Sequence, residues 1–238
     1  MLRVGARWHI GRIAPGLADT GWTNSCRGTG PPRGSVVKWR HDCRHHPRIK
    51  ITLDNVSPAI LRRVEVPFDI RLDRLHLIVQ AAMGWTNSHL YEIRAGDVGF
   101  STPDPDADWG NDFLDARKAR LDDVLEDIGT KKLVYLYDFG DGWEHTIMIE
   151  RLVDSEPGVF YPRLIEVRGR CPPEDCGGPF GYAELLDAIA DPKHERHAEL
   201  TEWVGDDFDP EADQAEALIA EVAALAKSWS RKSKRKGP

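Results

Sequence analysis

The sequence predicts an α+β fold, a single domain with a mainly antiparallel sheet and packed helices, carrying basic ends. Three observations point there. Strand-like segments come in adjacent pairs rather than alternating with helices in βαβ units. Several amphipathic segments have apolar residues at helical spacing, at 72–83, 121–128 and beyond Pro210. Asp141-Gly142, between two apolar alternating runs, is a strong short hairpin signal. A chain of 238 residues, 41% hydrophobic, suits one globular domain with appendages.

In order along the chain, residues 1–47 are rich in Gly, Pro, Arg and His and show no sustained period, so they are expected to be a disordered extension. A start codon nearer Arg48 would remove them. His41, Cys43, His45 and His46 are potential metal ligands, but Arg-rich spacing without a turn supports this weakly. Ile49, Ile51 and Leu53 alternate as a strand, Ser57-Pro58 breaks it, and Ile60–Val66 is its hairpin partner. Leu72, Leu75, Val79 and Ala82 place a helix near 72–83, stopped by Gly84. A third strand follows His89, and Ala95-Gly-Asp turns it into 98–100. Asp104, Asp106 and Asp108 resemble the start of a calcium loop, but Trp109 stands where the sharp turn needs Gly, so a solvated loop is expected. Leu121, Val124, Leu125 and Ile128 form a second helix closed by Gly129. Strands at 133–138 and 143–152, short helices at 182–189 and 197–203, and an amphipathic helix at 214–229 complete the series. The domain proper is expected over 48–213, with a basic tail at 230–238.

Charge is segregated. Residues 1–50 carry net +8, residues 51–226 net −21 and residues 227–238 net +6. An acidic body repels phosphate backbones, so direct DNA binding by it is not expected, whereas the basic tail could touch nucleic acid. No apolar run approaches the roughly 20 residues that span a bilayer, and the N-terminus lacks a secretory core. Cys26, Cys43, Cys171 and Cys176 are too few for a disulfide framework. A cytoplasmic protein is the expectation.

Two segments could carry chemistry. With a two-residue turn at Asp141-Gly142, Asp138 would oppose His145, about 5 Å apart at Cβ. That pair reads either as a structural hydrogen bond or as a general base or metal ligand with its orienting carboxylate. In Cys171-Pro-Pro-Glu174-Asp175-Cys176-Gly-Gly, two prolines stiffen a loop that fixes two acids, and two glycines permit tight geometry. Asp138, His145, Asp141, Glu174 and Asp175 are therefore the candidate catalytic set. Cys171, Cys176, His194 and His197, spaced C-x4-C-x17-H-x2-H, are the candidate ligands of zinc or another divalent metal, against the alternative of ordinary reduced thiols. Trp85, His89 and Tyr91 read as core and turn packing.

Residues from about Ile49 to Asp213 resemble the plasmid pRiA4b ORF-3-like family. The resemblance rests on Ile-Lys-Ile-Thr-Leu with Pro58-Ala-Ile-Leu-Arg-Arg-Val, Gly84-Trp85 followed by His89-Leu, Tyr137-Asp138-Phe-Gly-Asp141-Gly-Trp143-Glu-His145, Glu150, Cys171-Pro-Pro-Glu-Asp-Cys-Gly-Gly, and Trp203 with Phe208-Asp-Pro-Glu. It departs at Ala212-Asp213, where the family more often has Phe-Asp. The resemblance implies an α+β fold and a bacterial protein of plasmids or insertion sequences. Some relatives bear a transposon-resolvase label, yet no Arg-surrounded catalytic Ser is seen here. It implies no settled activity. Three functions remain: an accessory or binding protein of mobile-element origin acting near the 138–145 and 171–178 segments, a metal-dependent hydrolase or nuclease-like enzyme, and a zinc-bearing interaction module.

Overall fold

The structure, a computed structural model, describes residues 45–103, 113–205 and 208–234, with side chains through residue 230. The expectations for residues 1–44, for Asp104, Asp106 and Asp108, and for the end of the basic tail lie outside the described residues. The chain order is β1 (His45–Leu53), β2 (Ile60–Glu65), α1 (Leu72–Met83), β3 (Tyr91–Ala95), β4 (Val98–Ser101), β5 (Leu114–Asp115), α2 (Leu121–Ile128), β6 (Lys132–Tyr137), β7 (Trp143–Asp154), β8 (Arg163–Arg168), α3 (Gly178–Ala190), α4 (His197–Val204) and α5 (Ala215–Lys234). The strands form one sheet in the order β5-β4-β3-β6-β7-β1-β2-β8, antiparallel throughout except for the short β4–β5 pair. The fold is α+β, as the sequence predicts.

Alternation builds the core. Ile49, Ile51 and Leu53 of β1, Leu133, Tyr135 and Tyr137 of β6, and Trp143, Ile147 and Ile149 of β7 are buried together with Leu75, Ile78, Val79 and Ala82 of α1. Side chains at every second strand position share one face, so a single register fixes all of them. Gly84 and Gly129 close α1 and α2 in the left-handed conformation that glycine adopts without strain. Helix α5 lies against α1 and β8, burying Leu218, Val222 and Ala226.

Two buried charges tie this frame together. Arg62 points inward from β2, and its guanidinium donates to the carbonyls of Leu61, Ala82 and Arg168, joining β2, the end of α1 and β8. Glu65 accepts from Arg48 at 2.7 Å and Arg163 at 3.1 Å. Paired or hydrogen-bonded in this way, buried ions cost less, although Nη2 of Arg62 is left without a partner.

One expectation is corrected, and two strands are added to those the sequence predicts. β1 begins at His45, not Ile49, because its pairing with β7 continues to His45↔Asp154 across a bulge between Arg48 and Ile49. Strand β8 carries no strand signal in the sequence because only Leu164 among its six residues is buried, which leaves no apolar alternation. The two-residue β5 is likewise too short for a period. Among the described residues no helix is long and apolar enough to cross a membrane.

Candidate functional site

The β6–β7 connection is a five-residue turn, not the expected two-residue one. Tyr137 pairs with Trp143 and Tyr135 with His145, leaving 138–142 as the loop. Asp138 makes the difference. Its φ is +54°, its amide donates to Leu90 O at 2.9 Å, its carbonyl accepts from Gly142 N at 2.7 Å, and Oδ1 accepts from Gly140 N at 2.9 Å. An aspartate closing a turn on its own backbone competes well with the Asp-Gly hairpin.

The expected Asp138–His145 pair therefore does not form. His145 is fully buried among Trp85, Tyr135 and Trp143. Its Nδ1 donates toward Trp143 O at 3.1 Å and Tyr135 O at 3.3 Å. Burial pushes its pKa down to about 4, more than these carbonyls raise it. A neutral ring sealed in the core has no route to a substrate proton.

The 171–178 loop does meet the turn. Trp85 Nε1 donates to Pro172 O at 3.0 Å. Glu174 takes four hydrogen bonds: from Thr86 N (2.9 Å), Thr86 Oγ1 (2.5 Å), Ser88 Oγ (3.1 Å) and Tyr137 Oη (2.6 Å). Burial works to raise its pKa, but these donors outweigh it and hold the carboxyl below the usual glutamate value. Asp141 Oδ2 accepts from Gly177 N at 3.2 Å. Glu174 and Asp141 are thus anchors that hold loop to turn. Replacing Glu174 by Ala is expected to cost about 2–3 kcal/mol of unfolding free energy in urea, the scale of hydrogen bonds to a charged acceptor. A loss below about 0.5 kcal/mol would remove it from this role.

What the junction brings together is Asp138, Asp175 and His89. His89 Nε2 lies 3.2 Å from Asp175 Oδ1 and 3.7 Å from Asp138 Oδ2. One ligand atom from each residue lies within 4.8 Å of the other two, the single such His/Cys/Asp/Glu group among the described residues. His89 Nε2 is buried and makes no hydrogen bond there, although Asp175 Oδ1 lies 3.2 Å away. Asp175, like Asp138, has a positive φ, +62°. Tyr137 orders the group. Its hydroxyl accepts from Ser88 N and His89 N while donating to Glu174, and its ring stands edge-on to His89.

His89 packs edge-on against Tyr137, in keeping with the packing role expected of it, and also stands beside Asp138 and Asp175. Its two partners lie far along the chain, so no local spacing announces it. The signal available in the sequence is Gly84-Trp85 followed by His89-Leu, one of the motifs on which the family resemblance rests.

The expected zinc ligands Cys171, Cys176, His194 and His197 do not gather. Burial pushes the thiols of Cys171 and Cys176 up to about 12. His197 Nδ1 donates to Ala188 O at 2.7 Å, and His194 Nδ1 accepts from Arg196 N at 3.2 Å. Each histidine is engaged in shaping the link from α3 to α4.

The sequence model of the family described as plasmid pRiA4b ORF-3-like protein matches residues 46–216. A Sinorhizobium fredii (strain NBRC 101917 / NGR234) protein described as uncharacterized protein y4hQ is 55% identical over 190 residues, spanning 79% of this chain and 96% of its own length. A solved structure, the protein of unknown function MM3350 from Methanosarcina mazei Go1, is 30% identical with a TM-score of 0.65, covering 72% of this chain and 96% of that one.

Proposed function

The chain belongs to the plasmid pRiA4b ORF-3-like family, and from that premise we propose that it is an accessory binding protein of plasmid or mobile-element origin that works through one divalent cation held by His89, Asp138 and Asp175. The observation that carries this reading is the buried His89 Nε2, without a hydrogen-bond partner, set beside two carboxylates. An imidazole nitrogen with two carboxylate oxygens suits zinc or manganese rather than calcium, which takes oxygen ligands. Left-handed backbone at two non-glycine residues costs free energy, and such strain tends to persist where function needs it. Three protein ligands leave coordination positions open to a partner's group.

Those open positions also favour a second reading, a metal-dependent hydrolase. Binding is preferred because the neighbouring acids and bases are engaged: Glu174 by four donors, Asp141 by Gly177, and His145 by burial.

Calorimetric titration with Mn2+ tests the site. The intact protein is expected to bind one ion. Asp138→Asn, whose amide oxygen can still accept from Gly140, is expected to weaken binding on the order of 100-fold. Cys171→Ser is expected to leave it unchanged. Absent binding to the intact protein, or equal affinity in Asp138→Asn, defeats the reading.

A further inference from the structure

Beside the cation group lies a cavity of about 330 Å³, walled by α1, the segment leading into β3, and the end of β4. Its volume is that of a small-molecule pocket. His89 belongs to its wall as well as to the cation group.

The donors along that wall point to one ligand chemistry. Asn87 Oδ1 is taken by His76 Nε2 at 2.5 Å, which leaves the amide N–H groups of Asn87 as its remaining function. His76 is itself locked by Tyr135 Oη on Nδ1 and by stacking on Tyr91, so it fixes where Asn87 stands. Thr102 adds a hydroxyl that shares a hydrogen bond with Tyr91 Oη. Arg117 adds a guanidinium. The wall's single acid, Asp73, is neutralised by a two-pronged Arg71 contact at 2.9 and 2.8 Å. Asp115 holds Arg117 in a two-pronged contact of its own, at 2.9 and 3.0 Å, and also faces Lys118 at 3.5 Å, so the three together carry one net positive charge and Nη1 of Arg117 is the guanidinium edge left for a ligand. When His89 Nε2 binds a cation, the ring proton stays on Nδ1, and that nitrogen becomes a further donor.

We infer that this cavity is a binding site for a small molecule bearing an oxyanion, a carboxylate or phosphate group, taken by Arg117, Asn87 and the hydroxyl of Thr102. The cavity stands apart from the cation reading. Only its coupling to the cation, through the shared His89 ring, rests on it. A ligand that accepts from His89 Nδ1 strengthens the imidazole as a metal ligand, and linkage makes the effect reciprocal.

Sulfate is the probe, since it keeps Mn2+ in solution. Titration calorimetry at constant ionic strength, with and without Mn2+, is run on the full chain, Arg117→Gln and the cavity-filling Leu77→Trp. The intact protein is expected to bind sulfate, and saturating sulfate to tighten Mn2+ binding several-fold. Either variant is expected to weaken sulfate at least tenfold while binding Mn2+ alone as the intact protein does. Arg117 is half exposed, so its replacement leaves the fold intact even if tryptophan does not fit. Sulfate binding absent from the intact protein, or unchanged in Arg117→Gln, overturns the inference. Sulfate binding without any Mn2+ binding supports the cavity and overturns the cation reading alone.

Discussion

Stability is expected to fall steeply between pH 7 and pH 5, by about 4 kcal/mol in total, because two buried histidines refuse protons that the unfolded chain accepts. His76 sits under Tyr91 with Nδ1 on Tyr135 Oη and Nε2 on Asn87 Oδ1, and His145 is sealed beneath Trp85. Burial is the larger force on each and lowers both from 6.5 to about 4, against the bonds from Asn87 and from the backbone carbonyls. The folded pKa values are depressed, so the contribution is complete above 6.5 and declines as pH drops toward 4. At about 1.4 kcal/mol per pH unit, the span from 6.5 to 5 removes roughly 2 kcal/mol for each ring. Ordinary carboxylates titrate below this window, so the acidic body does not mask the effect. Urea unfolding measured at half-unit steps reads it directly. His145→Phe should roughly halve the slope, and a flat profile for the intact protein would contradict the burial of both rings as neutral species.

Gly178→Ala is expected to pull the 171–178 loop off the turn. A Cβ at Gly178 would lie 2.2 Å from Asp141 O, a backbone atom that cannot swing aside, and the residue has φ +70°. The left-handed conformation alone costs about 1 kcal/mol, and relieving the overlap must move loop or turn, for a total of about 2–4 kcal/mol. Asp175 would move with the loop, so Mn2+ affinity should drop at least tenfold. Gly177→Ala is the control. Its φ is +89°, but the nearest atom to its Cβ is Gly181 Cα at 3.5 Å, an ordinary contact, so only the conformational cost applies. Equal behaviour of the two variants would mean that the glycine at 178 is not there for close approach.

The regular elements were legible because their signals are local. Leu72, Leu75, Val79 and Ala82 with Gly84 place α1 at its observed limits, and Ile49, Ile51 and Leu53 place β1 on the buried face. The candidate site was half legible. That the turn bearing Asp138 and the loop bearing Asp175 meet agrees with the sequence, since a turn and a stiff loop that carry acids are visible in one dimension. The expected pair of Asp138 with His145 does not form because Asp-Gly favours a short hairpin, whereas Asp138 closes a longer turn on its own carbonyl and carboxylate. The alternation of Tyr135 and Tyr137 against Trp143 and His145 contained the correct register, since all four are buried on one face. His89 and the four donors on Glu174 are products of tertiary contact, beyond the reach of any window of sequence.

His89 and Asp138 sit at adjoining ends of the hydrogen-bonded strands β3 and β6, whereas Asp175 arrives on the loop that Glu174 and Gly178 hold down. An ion so held would be captured first by the rigid pair and then enclosed by the third residue. Its residence time, not its rate of capture, would follow how often that loop lifts, so the fastest metal exchange should belong to the variants whose loop is least well fastened.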